Sequence, residues 1–296
     1  MRKSLIAIAV ALVAASACMN NAGSFVTGNL DIYEDFKSEF VEGRAVRVWT
    51  PSDYDPSKKY DVIYMHDGQN LFDASITWNQ QEWGVDEAIS SLIESGDIRP
   101  CIVVGIDNSE LRYAEYYPSA ICDDVPAGVL PDAFKSWGDE YLRFVVEEVK
   151  PWIDGKYSTW QDAAHTFIMG SSCGGLISSY ALCEYPDVFG GAACLSTHSS
   201  LMNPDTEVDQ KPASETYINY LRENLPADEN HLLYMDCGDC QIDMEYFESQ
   251  ALINETIAAL NWDGNYMYRF FPGQSHSEND WRSRLDIPVR FLLGGK

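Results

Sequence analysis

The stretch Ala164-His165-Thr166-Phe167-Ile168-Met169-Gly170-Ser171-Ser172-Cys173-Gly174-Gly175-Leu176 decides how the rest of the chain is read. Thr166 to Met169 is a short apolar run suited to a buried strand, Gly170 to Gly174 fits G-x-S-x-G, and Leu176 to Leu182 continues as a helix. A serine on a sharp turn between strand and helix is held clear of the sheet edge, where its hydroxyl can act as a nucleophile. Gly170 and Gly174 leave room for strand and helix to pass closely, so the central Ser172 is the candidate and not Ser171. A five-residue pattern alone also describes an inert glycine-rich turn. Its partners elsewhere in the chain decide between the two.

Working outward, strand-like and helical runs alternate. Phe36 to Trp49 alternates as strands do, most clearly over Ala45 to Trp49, and the turn-rich Pro51 to Lys59 follows, which predicts an antiparallel opening to a sheet. Asp61 to Met65 and Ile102 to Ile106 are continuous apolar strands, while Trp83 to Ile93 and Asp132 to Trp152 have helical spacing. Beyond the central stretch come strands at Ala192 to Ser196, His231 to Met235 and Tyr266 to Phe271. A helix is expected over Met244 to Leu260, and a closing helix over Asp280 to Leu293, interrupted or terminated near Pro288. The alternation predicts an α/β fold with a mostly parallel central sheet and helices on both faces. With no internal repeat or linker, residues 36–296 are expected to form one catalytic domain.

Acyl transfer by serine needs a base to take the hydroxyl proton and an acidic group to fix the base's tautomer. In the order Ser, acid, His, the candidates are Ser172, a carboxylate after the strand ending at Met235, and His276. Of the five histidines, His276 alone follows a late strand within a small loop, Gly273-Gln274-Ser275-His276-Ser277-Glu278. His66 is better placed near the oxyanion loop, His198 at a rim, and His165 and His231 begin strands. Asp236 reads as part of the strand and Asp239 as part of the turn, which favours Asp243 as the acid, with Asp239 as runner-up and an acid-free Ser-His dyad still open. The oxyanion hole is expected to combine the backbone N–H of Cys173 with that of Gly68 or Gln69.

These residues resemble the esterase family of α/β-hydrolases that groups S-formylglutathione hydrolases, feruloyl esterases, enterochelin esterases and mycolyltransferases. The matching residues are Tyr64-Met65-His66-Asp67-Gly68-Gln69-Asn70-Leu71-Phe72, Val103 to Ile106, Arg112 with Glu115, Tyr116 and Pro118, Gly170 to Gly175, and His276-Ser277-Glu278 with Trp281 and Arg284. The resemblance implies the α/β-hydrolase fold and a carboxylic ester hydrolase needing neither metal nor cofactor, with Ser172 as nucleophile and His276 as base. It also implies that His66, Asp67, Arg112 and Tyr116 contact substrate. Cys173 stands where many members carry methionine, a change that leaves the backbone amide in place. The ester is left open among acetyl or feruloyl groups on polysaccharide, a siderophore trilactone and small esters. Trp78, Trp83, Tyr113, Tyr116 and Tyr117 read either as core or as an aromatic- or sugar-accepting rim.

Composition bounds the alternatives. The chain has 296 residues, 46% hydrophobic and 12% aromatic, enough for a sizeable core, and 20 basic against 46 acidic residues give a net charge of -26. That charge argues against nucleic acid as a partner. Arg2 and Lys3, the apolar run Leu5 to Ala15 and the small residues before Cys18 read as a signal peptide over 1–17, followed by a tether over 18–35. The same run resembles a lipobox, so a lipidated Cys18 is expected, with simple cleavage after Ala17 as the alternative and a lipid anchor as the only membrane contact. The body is thereby expected outside the cytoplasm, as a periplasmic, outer-membrane or extracellular protein. Cys237-Gly238-Asp239-Cys240 reads as a local disulfide or a pair of free thiols, and less well as a metal or redox centre. A catalytically inactive carbohydrate-binding or adhesion protein is the rival on the same fold, and the presence of both Ser172 and His276 counts against it.

Overall fold

The computed structural model describes residues 26–131, 133–201, 211–226, 230–260, 262 and 265–295, so the expected leader, Cys18 and the start of the tether lie outside it. Within these residues, strands β1 (Asn29–Phe36), β2 (Arg44–Thr50), β3 (Asp61–His66), β4 (Cys101–Ile106), β5 (Thr166–Ser171), β6 (Gly191–Leu195), β7 (Leu232–Gly238) and β8 (Tyr266–Phe271) form one sheet in the order β1-β2-β4-β3-β5-β6-β7-β8. The first two strands and the β2 to β4 contact are antiparallel, and β4 through β8 are parallel. Because β1 already pairs with β2, residues 29–35 belong to the sheet and not to a tether, which moves the expected boundary at 36.

The central strands carry unbroken apolar runs because both of their faces are covered. In β3, Val62 and Tyr64 enter one core and Ile63 and Met65 the other. The first core also takes Tyr141 of α3 (Gly138–Arg143), Ile153 of α4 (Lys150–Lys156), Leu176 of α5 (Cys173–Glu184), Tyr217 of α6 (Lys211–Asn224) and Ile253 of α7 (Phe247–Ala258). The second is closed by Ile89 of α1 (Val85–Glu94), Trp281 of α8 (Glu278–Arg282) and Val289 of α9 (Asp286–Leu293). One short helix, α2 (Arg112–Glu115), lies between β4 and α3. Every residue of α5 from Cys173 to Leu182 is buried, as expected of a helix lying against the sheet and covered by α6.

Three helices differ from the sequence reading. The helix expected over Asp132 to Trp152 starts only at Gly138 and reaches Lys156, with a π-helical turn, Phe144–Val149, in its middle. Pro151 explains that turn: it lacks an N–H, and its ring would strike a carbonyl one turn back, which the wider π turn accommodates. The closing helix is two helices, broken over Ser283 to Leu285 and not at Pro288. Pro288 is the third residue of α9, where the N–H has no intrahelical partner to lose. Before α7, Gln241–Tyr246 forms a 3-10 turn, so the expected helix over Met244 to Leu260 begins at Phe247.

Candidate active site

In open parallel sheets, functional side chains collect beyond the carboxyl ends of the strands. Here the ends of β3, β5, β7 and β8 deliver Asp67, Ser172, Asp243 and His276. A cavity of about 740 Å3 lies among them, lined by Asp67, Gln69, Arg112, Ser172 and His276 together with residues of the loop from Ile76 to Trp83.

Ser172 occupies the turn between β5 and α5 with φ 58° and ψ -124°, a conformation that a side chain bearing Cβ rarely adopts. Its surroundings hold it there. The Ser172 N–H donates to Leu195 O at 3.0 Å, and its carbonyl accepts from Leu176 N–H and His198 N–H, each at 3.1 Å. A Cβ on Gly170 would come within 2.7 Å of the Gly174 carbonyl carbon, so the crossing of strand and helix that forms the turn requires glycine. Ser171, the last residue of β5, is buried beside it.

His276 lies in the loop after β8, with Nδ1 2.6 Å from Oδ1 of Asp243. Asp243 is fully buried, and its Oδ2 accepts from Ser196 Oγ and from Gly238 N–H, both at 2.7 Å. Burial pushes this carboxyl up, but the contacts from His276, Ser196 and Gly238 outweigh it and hold it below the usual carboxylate range. An ionised carboxylate only accepts, so the imidazole proton sits on Nδ1 and leaves the Nε2 lone pair free. The other two aspartates are engaged elsewhere. Asp236 pairs with Arg284 at 2.9 Å and accepts from Tyr234 OH, whereas Asp239 accepts from Gly273 N–H at 2.6 Å and ties two loops together. Ser172 and His276 face the same cavity, and no hydrogen bond joins them; such contacts commonly tighten only around substrate.

Cys173 begins α5, and Gly68 and Gln69 begin the 3-10 turn Gly68–Asn70; the leading N–H groups of such turns have no intrahelical acceptor. Gln69 lines the cavity. Gly68 lies behind it, so close to β4 that a Cβ would sit 2.6 Å from the Gly105 carbonyl carbon. Asp67, in the left-handed region at φ 56°, receives a bidentate bond from Arg112 at 2.7 and 2.8 Å and a third from Asn108 Nδ2 at 2.7 Å. Burial raises the Asp67 carboxyl, and these donors more than reverse the effect.

The four expected substrate contacts divide. Asp67 and Arg112 line the cavity, but His66 and Tyr116 are buried behind its wall, which corrects the sequence reading for both. His66 Nδ1 is 2.7 Å from Tyr141 OH, and burial lowers its pKa to about 3, so it packs as a neutral ring. Tyr116 packs against the same ring and against Tyr141, with ring centroids 5.1 and 5.0 Å apart, and its hydroxyl accepts from Asp67 N–H. Of the proposed aromatic rim, Trp78 and Trp83 line the cavity, and Trp78 is 86% exposed, while Tyr117 belongs to the core. Cys237 and Cys240 are free thiols, with Cys237 Sγ 3.2 Å from Tyr268 OH, so the local-disulfide reading gives way to its alternative.

Two residues of this site went unnoticed in the sequence. Tyr246 is buried with its ring 5.7 Å from that of His276 and its hydroxyl 3.0 Å from His198 Nδ1. Burial and then Cys173 push its phenol up, partly offset by the Ser172 hydroxyl beside it, so it stays protonated next to Ser172. Ser196, just after β6, meets Asp243 directly. Nothing distinguishes one tyrosine among 17, or a serine ending a strand, until the fold is closed.

The family described as "Putative esterase" matches residues 38–292. Among solved structures, an IroE-like serine hydrolase from Shewanella oneidensis superposes with a TM-score of 0.68 at 19% identity, covering 90% of this chain and 80% of that one. A ferulic acid esterase superposes with a TM-score of 0.65 at 20% identity, covering 90% and 98%. At such identities the likeness shows the fold, that of the α/β-hydrolases. YjcH of Bacillus subtilis is 27% identical over 157 residues, 52% of this chain and 56% of its own length, so the match spans little more than half of that relative.

Proposed function

The chain belongs to the "Putative esterase" family of carboxylic ester hydrolases, and we propose that it cleaves esters through an acyl-enzyme formed on Ser172. The observation that carries this reading is the pairing of a serine held at φ 58° over a cavity with a histidine in the same cavity whose Nδ1 is fixed by a buried carboxylate. Ser172 Oγ attacks the ester carbonyl and gives its proton to Nε2 of His276. Asp243 stabilises the resulting imidazolium without taking the proton. The oxyanion is met by the N–H groups of Cys173 and Gln69, each donor contributing about 3 kcal/mol to the transition state. His276 then protonates the departing alcohol, and a water activated by the same nitrogen releases the acid.

For the substrate, the cavity favours an uncharged, hydroxyl-rich ester such as an acylated sugar. Gln69, Asn70, Asn79, Gln81, Asn108 and Gln241 line it with amide groups, and the exposed indole of Trp78 offers a flat face at its mouth. Its cation, Arg112, is already paired with Asp67, and a net charge of -26 opposes an anionic ligand. Hydrolysis of acetyl and feruloyl sugar esters should exceed that of a catecholate trilactone, and a serine-directed phosphonate should label Ser172. Labelling at another residue would sink the mechanism, and preference for the trilactone the substrate. We further propose export with lipidation at Cys18; an intact mass beginning at Cys18 without acyl mass would remove the anchor.

A further inference from the structure

Beneath His276 and Asp243 lies a second group of polar contacts that the mechanism does not use. Ser196 ends the run of β6 with φ 41° and is fully buried. Its Oγ has three partners: Asp243 Oδ2 at 2.7 Å, Trp281 Nε1 at 3.0 Å and Arg284 Nη2 at 2.9 Å. The indole N–H and the guanidinium can only donate, so the Ser196 oxygen accepts both. Its single proton is left one destination, Asp243. Arg284 is itself fixed by Asp236 at 2.9 Å and by Gln274 Oε1 at 2.6 Å, and Trp281 packs edge to face with His276, their ring centroids 4.9 Å apart.

We propose that Ser196 is the positioning residue that sets the strength of His276 as a base, by holding Asp243 with a hydroxyl whose direction Arg284 and Trp281 dictate. The hydroxyl does two things. It fixes the carboxylate plane so that Oδ1 meets Nδ1, and it draws part of the carboxylate charge toward Oδ2 and away from the imidazole. The ionisable groups around His276 are Asp243 and Tyr246 from the segment after β7, Glu278 from α8, and Asp67 with Arg112 across the cavity, while Asp280 of α8 is taken up by Ser275 and Ser277. Of these contacts, Ser196 directly changes that of Asp243.

This inference rests on the mechanism above, and the experiment separates the two. Ser196→Gly removes the hydroxyl and suits the positive φ, so it spares the backbone. It should lower kcat about tenfold or more, the worth of one hydrogen bond to a charged group. The acid limb of the kcat/KM profile should move up by roughly half a unit as Asp243 turns its full charge on the imidazolium. Ser196→Cys, which keeps a weak donor, should recover part of both. A lower melting temperature with kcat and the pH profile unmoved in Ser196→Gly would overturn the proposal, because a merely structural serine acts on stability alone. Asp243→Asn provides the control. Full activity there would remove Asp243 from the mechanism and leave a Ser172-His276 dyad, overturning the role of Ser196 with it, whereas inactivity there beside an unaltered Ser196→Gly would remove only the role of Ser196.

Discussion

Asp236 and Asp243 leave the same strand end, are both fully buried and both touch Ser196, yet they are set up for different tasks. Asp236 faces Arg284, a cation that never gives up its proton, in a site closed to solvent on both sides. Asp243 faces His276, whose charge can change and whose ring reaches a cavity shared with Ser172. Burial and a partner within 3 Å are therefore common to both carboxylates. What differs is the partner's chemistry, a guanidinium against an imidazole that can exchange a proton, together with its access to the cavity.

That contrast can be broken from either side. The largest effect is expected at the group that depends on Asp243 and His276: Ser172→Ala should lose about a millionfold in kcat, by the precedent of another serine hydrolase, while Ser171→Ala retains most activity. Equal behaviour of the two variants would remove the nucleophile assignment. Next comes Asp243→Asn, for which kcat should fall about ten-thousandfold with KM little changed, since the wrong imidazole tautomer becomes available. Asp236→Asn should do the reverse. It leaves Arg284 buried without its counter-charge, at a cost of about 3 kcal/mol and roughly 10 °C in melting temperature, with modest loss of kcat in the folded fraction. A kinetic defect in Asp236→Asn as deep as that of Asp243→Asn would erase the distinction.

Two smaller effects sharpen it. The folded-state pKa of Asp243 is lowered, so the stability it contributes is present above about pH 4 and disappears as the pH falls through its folded value. Acid unfolding of Asp243→Asn, followed by circular dichroism below pH 4, should accordingly be less steep than that of the parent chain. Asp239→Asn weakens one bond to Gly273 N–H and should change stability by about 1 kcal/mol or less, with kcat nearly intact. The reading of Asp239 as runner-up acid would return if its variant proved the slower enzyme.

The sequence by itself determined the strands of the sheet and the two candidate residues, Ser172 and His276, that the proposed mechanism joins. G-x-S-x-G between an apolar run and a helix is a local pattern, and Ser172 takes its strained turn because Gly170 and Gly174 permit the crossing beside it. The strands of the parallel sheet were equally legible, since burial on both faces imposes continuous apolar runs; the π turn before Pro151 and the break before α9 were not, being set by local sterics and packing. What only the tertiary structure decided is which carboxylate meets the histidine. Asp236, Asp239 and Asp243 lie within eight residues of one another, and spacing gives each a plausible reach. The choice follows from the alignment of β7 beside β8 and from partners brought from β6 and α8–α9, Ser196, Trp281 and Arg284, which are 47, 38 and 41 residues from Asp243 in the chain. The same closure placed His66 and Tyr116 behind the cavity wall and Tyr246 beside His276. Contacts of that range are fixed by packing, and no local spacing encodes them.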